Sequence, residues 1–256
     1  MKINPAHELE EATGTVPRVG GRPTFRLDGD DIPFDDGQSI LTAALAAGRY
    51  IPHLCHHPDF EPHGSCKVCT VRVNGRTRAS CTQPARESDV VELHTGDLDQ
   101  LRRSLVEFLF VEGNHFCPSC EASGNCTLQA VGYELGVVSP HYEQLFPVRP
   151  VDASHPDVLL DFNRCILCEL CVRASELVDG KRVFSLSGRG IGKHLIVNSE
   201  SGRLADTNLS LEDKAANVCP VGVILRKRRG FTTPIGERKF DVHPISELAV
   251  KPREGS

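Results

Sequence analysis

The chain has 256 residues, a formal net charge of −5 and a hydrophobic fraction of 39%, with no tryptophan. It contains no apolar run of about 18 residues, which excludes a membrane-spanning helix. The polar opening segment from Met1 lacks the apolar stretch of a secretion signal, so a cytoplasmic protein is expected. The negative charge makes nucleic acid a poor partner. The length allows two or three small domains with thin cores that would gain from bound metal.

Residues 1–21 read as a flexible N-terminal segment. A hairpin follows, Thr24 to Leu27 and Ile32 to Phe34 joined at Asp28-Gly29. A helix starts after Ser39, with Ile40, Leu41, Ala44 and Leu45 on one side and Gly48 as its stop. The loop from Tyr50 to Cys69 is long. Asn74-Gly75 between Val71–Val73 and Thr77–Ala79 is a strong hairpin signal. Val90 to Leu93 is a further strand, and the order over residues 22–96 is compatible with a β-grasp domain.

From Asp97 the period changes to helical. Leu98, Leu101, Leu105, Phe108 and Leu109 share a face, and Gly113-Asn114 ends the helix. Cys126 opens another helix through Leu128, Val131 and Leu135, closing a unit over residues 97–136. Pro140, Pro147, Pro150 and Pro156 mark an irregular connector into a unit over 137–230. There Cys165 begins a helical-looking segment, and Arg182 to Leu204 is a strand-rich insertion. Gly188, Gly190 and Gly192 read as a turn, because a strand and not a helix follows them. Arg226 to Arg229 is a basic run, either a solvated helix end or a docking point for an acidic partner. Residues 231–256 form a polar, extended tail.

The eleven cysteines fall into three groups with none left over. Cys55, Cys66, Cys69 and Cys81 follow C-x10-C-x2-C-x11-C. Four thiolates of this kind suit a two-iron cluster, and zinc equally well. His53, His56, His57 and His63 crowd the same loop and read as packing groups. Cys117, Cys120 and Cys126 supply only three thiolates, and His115 just upstream is the candidate fourth donor. A neutral imidazole there would raise the reduction potential relative to four thiolates. Cys165, Cys168, Cys171 and Cys219-Pro220 are close to the bacterial pattern for a cubane iron–sulfur cluster.

Taken in this order, the groups resemble the N-terminal iron–sulfur region of the large complex I subunit. They resemble even more, by chain length, the small diaphorase subunit of NAD-reducing nickel–iron hydrogenases. The resemblance rests on strings such as Ile51-Pro52-His53-Leu54-Cys55, Gly64-Ser65-Cys66-Lys67-Val68-Cys69, Gly113-Asn114-His115-Phe116-Cys117-Pro118-Ser119-Cys120 and Ser123-Gly124-Asn125-Cys126. It implies an α+β protein: a β-grasp [2Fe-2S] ferredoxin domain, a small His(Cys)3 helical domain and a ferredoxin-like [4Fe-4S] domain. One [2Fe-2S] cluster would use Cys55, Cys66, Cys69 and Cys81. Two [4Fe-4S] clusters would use Cys117, Cys120 and Cys126 with His115, and Cys165, Cys168, Cys171 and Cys219. The family's usual histidine lies four residues before its first cysteine, a position held here by Gly113. Either His115 reaches the site or the fourth ligand differs.

The implied function is electron relay with no catalytic residue on this chain. Flavin, NAD and the NiFe centre would sit on partner subunits, a flavin/NAD-binding diaphorase subunit and [NiFe]-hydrogenase subunits. The same wire in an NAD-dependent formate dehydrogenase or a complex I-like assembly is the alternative. A zinc-stabilised interaction module without redox activity is the rival of a different class.

Overall fold

The structure is a computed structural model and describes residues 18–19, by their backbone, and 21–250. Residues 1–17, most of the segment expected to be flexible, lie outside the described residues, as do residues 251–256. Arg18–Val19 (β1) pairs antiparallel with Arg22–Leu27 (β2), so the first domain recruits chain from before residue 22.

β2 turns at Asp28-Gly29 into Asp30–Pro33 (β3), and both turn residues take positive φ, 49° and 97°. That backbone matches strand twist and suits Gly at the second position. Ile40–Ala46 (α1) is capped by the Ser39 hydroxyl, which accepts from the Thr42 N–H at 3.1 Å. Thr70–Val73 (β4) and Arg76–Ala79 (β5) form the second hairpin about Asn74-Gly75. Val90–Glu92 (β6) lies between β2 and β4, parallel to the first and antiparallel to the second. This mixed sheet with α1 against it is the β-grasp arrangement, and its core is built from Phe25, Leu27, Ile40, Leu41, Val71 and Val91.

Gly96–Val111 (α2) and Thr127–Glu134 (α3) pack together, and the second cysteine group lies on the segment joining them, with Cys126 as the N-cap residue of α3. The proline connector is more ordered than its composition suggests. Val151–Asp152 (β7) and Val158–Asp161 (β8) join Ile224–Arg226 (β11) in a three-stranded sheet ordered β11-β8-β7. Leu170–Leu177 (α4) starts only after Cys168, so the helix expected from Cys165 is a loop at first. Leu167 and Glu169 take positive φ, 53° and 62°, which a right-handed helix cannot contain.

Phe184–Ser187 (β9) and His194–Val197 (β10) make the expected strand-rich insertion, with a short turn over Gly190–Gly192 and no helix behind it. Lys214–Asn217 (α5) delivers Cys219. The tail is not extended. Lys239–Val242 (α6) and Ile245–Leu248 (α7) fold back, with the Phe240 N–H donating to Gly124 O at 2.9 Å. The basic run ends a strand rather than a helix. Its Arg226 donates to Asn217 Oδ1 at 2.7 Å, and its Lys227 donates to the carbonyls of Ala153 and His155.

Leu54, Cys55, Phe60 and Val68, from the first cysteine loop, pack in the same apolar core as Cys168, Leu170, Ala174 and Val221. That loop is therefore shared between the β-grasp domain and the unit built around α4. Among the described residues no helix is long and apolar enough to cross a membrane.

Candidate metal centres

The first group folds into two sulfur pairs. Cys55 lies beside Cys66, and Cys69 beside Cys81. Cys55, Cys69 and Cys81 are almost wholly buried. Two local devices shape the loop. Lys67, inside C-x2-C, has φ 57°, and at Gly64 (φ 68°) a Cβ would come within 3.1 Å of the Thr82 methyl. In each pair the adjoining partner holds one thiol below the ordinary thiol range, while the partner itself is pushed up. Each pair thus gives up one proton readily and resists losing the second. Full deprotonation needs compensating positive charge, which bound metal supplies.

The histidines around this group have their own partners or packing. His53 Nδ1 lies 2.7 Å from Ile51 O, and its ring meets His56 edge-on. His57 Nδ1 accepts from the Asp59 N–H, and His63 lies 3.6 Å from the Glu169 carboxylate. Burial keeps His53 and His56 neutral by pushing both below the ordinary histidine range.

In the second group burial, and after it the neighbouring Cys120, raise the pKa of Cys117 and Cys126. Cys126 is pushed up to about 12 by burial, against the opposing N–H groups of Gln129 and Leu128 at the start of α3. Cys120 Sγ accepts from Arg164 Nη1 at 3.5 Å. Gly222 permits this crowding, since a Cβ there would lie 3.0 Å from Cys120 Sγ.

His115 is drawn inward. Its ring stands edge-on to Phe110, and its Nε2 is buried with no hydrogen-bond partner. Burial, with Arg164 and Arg149 nearby, lowers it to about 4, so the imidazole is neutral with a lone pair available. A Cβ built on Gly113 would fall 2.6 Å from His115 Nε2. The imidazole of His115 therefore occupies the space into which a side chain at position 113 would emerge.

The third group converges most tightly. Cys165, Cys168, Cys171 and Cys219 line one cavity together with Leu186, Leu195 and Val223. Burial raises all four thiols, Cys165 to about 11. Main-chain N–H groups point at every sulfur: Leu167 at Cys165, Leu170 at Cys168, Val172 at Cys171, and Val221, Val223 and Ile224 at Cys219. Such donors favour bound thiolate.

All eleven cysteines are free of disulfides. Among the described residues no three His, Cys, Asp or Glu side chains converge as they would on one ion. A single zinc draws its thiolates to about 2.3 Å from one point, whereas an iron–sulfide core spreads them round a larger body. The paired and cavity-lining thiols fit the second kind of group.

The third group also neighbours each of the other two. Cys168 and Cys55 pack in the same apolar core. The Thr127 N–H, beside Cys126, donates to Pro220 O at 2.8 Å, beside Cys219. The third group thus lies between the first and second, although it comes last in sequence. Two arginines missed by the sequence reading stand at these junctions, Arg164 and Arg173. Their places, one before Cys165 and two after Cys171, were the only available signal.

The fold and its cysteine sites define an iron–sulfur protein with three cluster-type regions. Residues 22–96 match the family described as 2Fe-2S iron-sulfur cluster binding domain. Residues 102–141 match the NADH-ubiquinone oxidoreductase-G iron-sulfur binding region, and residues 158–225 match the 4Fe-4S single cluster domain. The chain is 39% identical to the gamma subunit of the NAD-reducing hydrogenase HoxS of Cupriavidus necator, over 88% of its own length and 96% of that protein. It belongs to the family of that hydrogenase subunit.

A crystal structure of NAD+-reducing [NiFe]-hydrogenase in the H2-reduced state contains a chain 52% identical, with a TM-score of 0.86 over 90% of this chain and 99% of that one. The alpha subunit of the NADPH-Fe(3+) oxidoreductase of Geobacter sulfurreducens is 30% identical over 80% of this chain, which spans 24% of that longer protein. An NADH-quinone oxidoreductase subunit of Rickettsia typhi is 26% identical over 90% of this chain, which spans 33% of it.

Proposed function

We propose that this chain is the electron relay of an NAD-reducing [NiFe]-hydrogenase, standing between hydrogenase subunits and a flavin/NAD-binding diaphorase subunit. It carries one [2Fe-2S] and two [4Fe-4S] clusters, and these supply one-electron chemistry when bound. Flavin, NAD and the NiFe centre belong to the partners. The chain's own task is to hold, bury and space the clusters.

Cys55, Cys66, Cys69 and Cys81 would hold the [2Fe-2S] cluster, and the nearness of Cys55 to Cys66 and of Cys69 to Cys81 supports a four-thiolate site there. Cys165, Cys168, Cys171 and Cys219 hold one [4Fe-4S] cluster. Cys117, Cys120, Cys126 and His115 hold the other, and the orphaned buried Nε2 of His115 is what favours it as fourth ligand. The corresponding domains run over 22–96, 97–136 and 137–230, with the C-terminal tail after them. Eleven free thiols fit a reducing cytoplasm.

The observation that carries the reading is the contiguity of the three thiol groups in the spatial order first, third, second. Electrons can then cross the chain by short hops and stay shielded from solvent by the core around Cys55 and Cys168. Anaerobic isolation of the assembled complex, with iron and sulfide analysis and electron paramagnetic resonance after reduction, tests it. Rhombic two-iron and four-iron signals are expected. Colourless protein loaded with zinc and lacking acid-labile sulfide would overturn it.

A further inference from the structure

Arg164 lies directly before Cys165, and Arg173 lies two residues after Cys171, yet each sends its guanidinium to a different neighbouring group. Arg164 Nη1 donates to Cys120 Sγ at 3.5 Å, to Glu121 Oε2 at 2.9 Å and to Gly222 O at 3.2 Å, while its Nε lies 2.9 Å from Asp161 Oδ2. Arg173 Nη2 donates to Cys55 O at 2.9 Å and its Nη1 to Glu61 O at 2.7 Å, with the guanidinium 5.5 Å from the Phe60 ring centre. One cation thus stands between the third group and the second, the other between the third group and the first.

We propose that Arg164 and Arg173 are positioning residues that raise the reduction potentials of the second and first sites, respectively. The inference rests on the cluster relay proposed above. Each hop moves one electron: the donating site is oxidised and the accepting site reduced. No bond to either arginine forms or breaks, and no proton moves.

Reduction adds a negative charge, and a fixed cation nearby favours the reduced form. A hydrogen bond to a ligand sulfur acts in the same direction. A guanidinium stays charged throughout the working pH range. Glu121 and Asp161 lock the Arg164 fork in place. Without it both carboxylates would lose their cation beside the second site and oppose reduction further. The carbonyl partners of Arg173 carry no net charge to offset its own. Adjacent reduced sites repel each other, so a cation at each junction also lets neighbours hold electrons together.

The test is a redox titration of the assembled complex, followed by electron paramagnetic resonance, with R164Q, R164K, R173Q and R173K. The second-site signal is identified by its loss in Cys126→Ser. R164Q should lower the potential of that signal so that the reduced-to-oxidised ratio at the wild-type midpoint falls about tenfold, a shift of about 59 mV for one electron, with the [2Fe-2S] signal unmoved. R173Q should do the reverse, lowering the [2Fe-2S] signal alone.

Lysine keeps the charge but not the fork, so each lysine variant should recover a large part of the shift. Intact signals at unchanged potentials, or equal shifts of both sites in every variant, overturn the proposal. Loss of a signal from both the glutamine and lysine variants makes that arginine a structural residue and overturns it there. Wild-type complex without cluster signals would instead refute the relay itself.

Discussion

Arg102 is 1% exposed, a full positive charge placed between the β-grasp sheet and α2. Its Nη1 donates to Leu93 O at 2.8 Å and its Nη2 to Thr70 O at 2.6 Å, next to Cys69, while Asp99 lies 3.1 Å away. Replacing it with Met keeps most of the aliphatic stem but strands two carbonyls, at about 1–3 kcal/mol each. Against this, a buried guanidinium no longer needs desolvation, worth several kcal/mol in principle, and its unpartnered Nε disappears. Asp99 is partly exposed and can rehydrate, so no isolated buried charge remains. Taking the upper end for the two carbonyls, about 6 kcal/mol, against about 4 kcal/mol of desolvation relieved, the balance is a loss of about 2 kcal/mol confined to the seam, or about 30-fold in the opening equilibrium. Anaerobic native-state hydrogen exchange reads this directly. Amides of β4 and β6 should exchange about 30-fold faster in Arg102→Met, while those of β8 keep their rates. Unchanged exchange at Val71 and Val91, or equal acceleration in both sheets, would refute the reasoning.

Three further outcomes are expected. Gly113→Ala would press a methyl against the His115 ring, and both Gly113→Ala and His115→Ala should cost the second cluster's iron while leaving the other two signals; full iron in His115→Ala would count against the ligand assignment. Cys168→Ala should lose the third cluster and open residues 158–226 to protease, with β2 to β6 still protected; retention of all iron would contradict it. Asp152, buried, accepts from Ser154 N at 2.9 Å and Leu204 N at 2.7 Å. Burial alone would raise its carboxyl, but these bonds and Arg203 outweigh it and leave the pKa below the ordinary range. A depressed folded pKa means the stabilisation is complete above the unfolded value of about 3.9 and fades as pH falls through the folded one. Asp152→Asn should therefore speed exchange of the Leu204 amide about fivefold at pH 7, corresponding to about 1 kcal/mol. The gap should narrow as pH falls through that depressed folded pKa, and a gap that stays constant throughout the acid range would show that the carboxylate charge is not responsible.

The parts of this protein that could be read from sequence are those set by local chemistry. Asn74-Gly75 and Asp28-Gly29 dictated their hairpins because few other residue pairs accept positive φ at both places. The C-x2-C-x2-C spacing brought three thiols to one cavity because the intervening residues are too few to carry them apart. What stayed hidden depends on distant partners. β8 pairs with β11 across most of the third region, so the proline connector looked irregular. α6 and α7 are too short to show a helical period; α6 is held by contacts to Gly124 and Asn125, and α7 by Ser246 Oγ donating to Glu134 Oε2 at 2.9 Å. The late start of α4 could not be foreseen, because Leu167 and Glu169 are ordinary helix formers forced left-handed by the need to turn N–H groups and sulfurs inward.

Chain order also misleads about the path. Along the sequence the thiol groups simply come first, second, third. In space Cys219 returns beside Cys126 through the Thr127–Pro220 bond, and α4 returns beside Cys55 through Arg173. Both returns are made by the third group, because its cysteines come from two stretches separated by the β9–β10 insertion and it can face two neighbours at once. A domain that closes its site with a remote cysteine is thereby suited to the middle of a relay. The second group, gathered within Cys117 to Cys126, has only one side to offer and falls at an end.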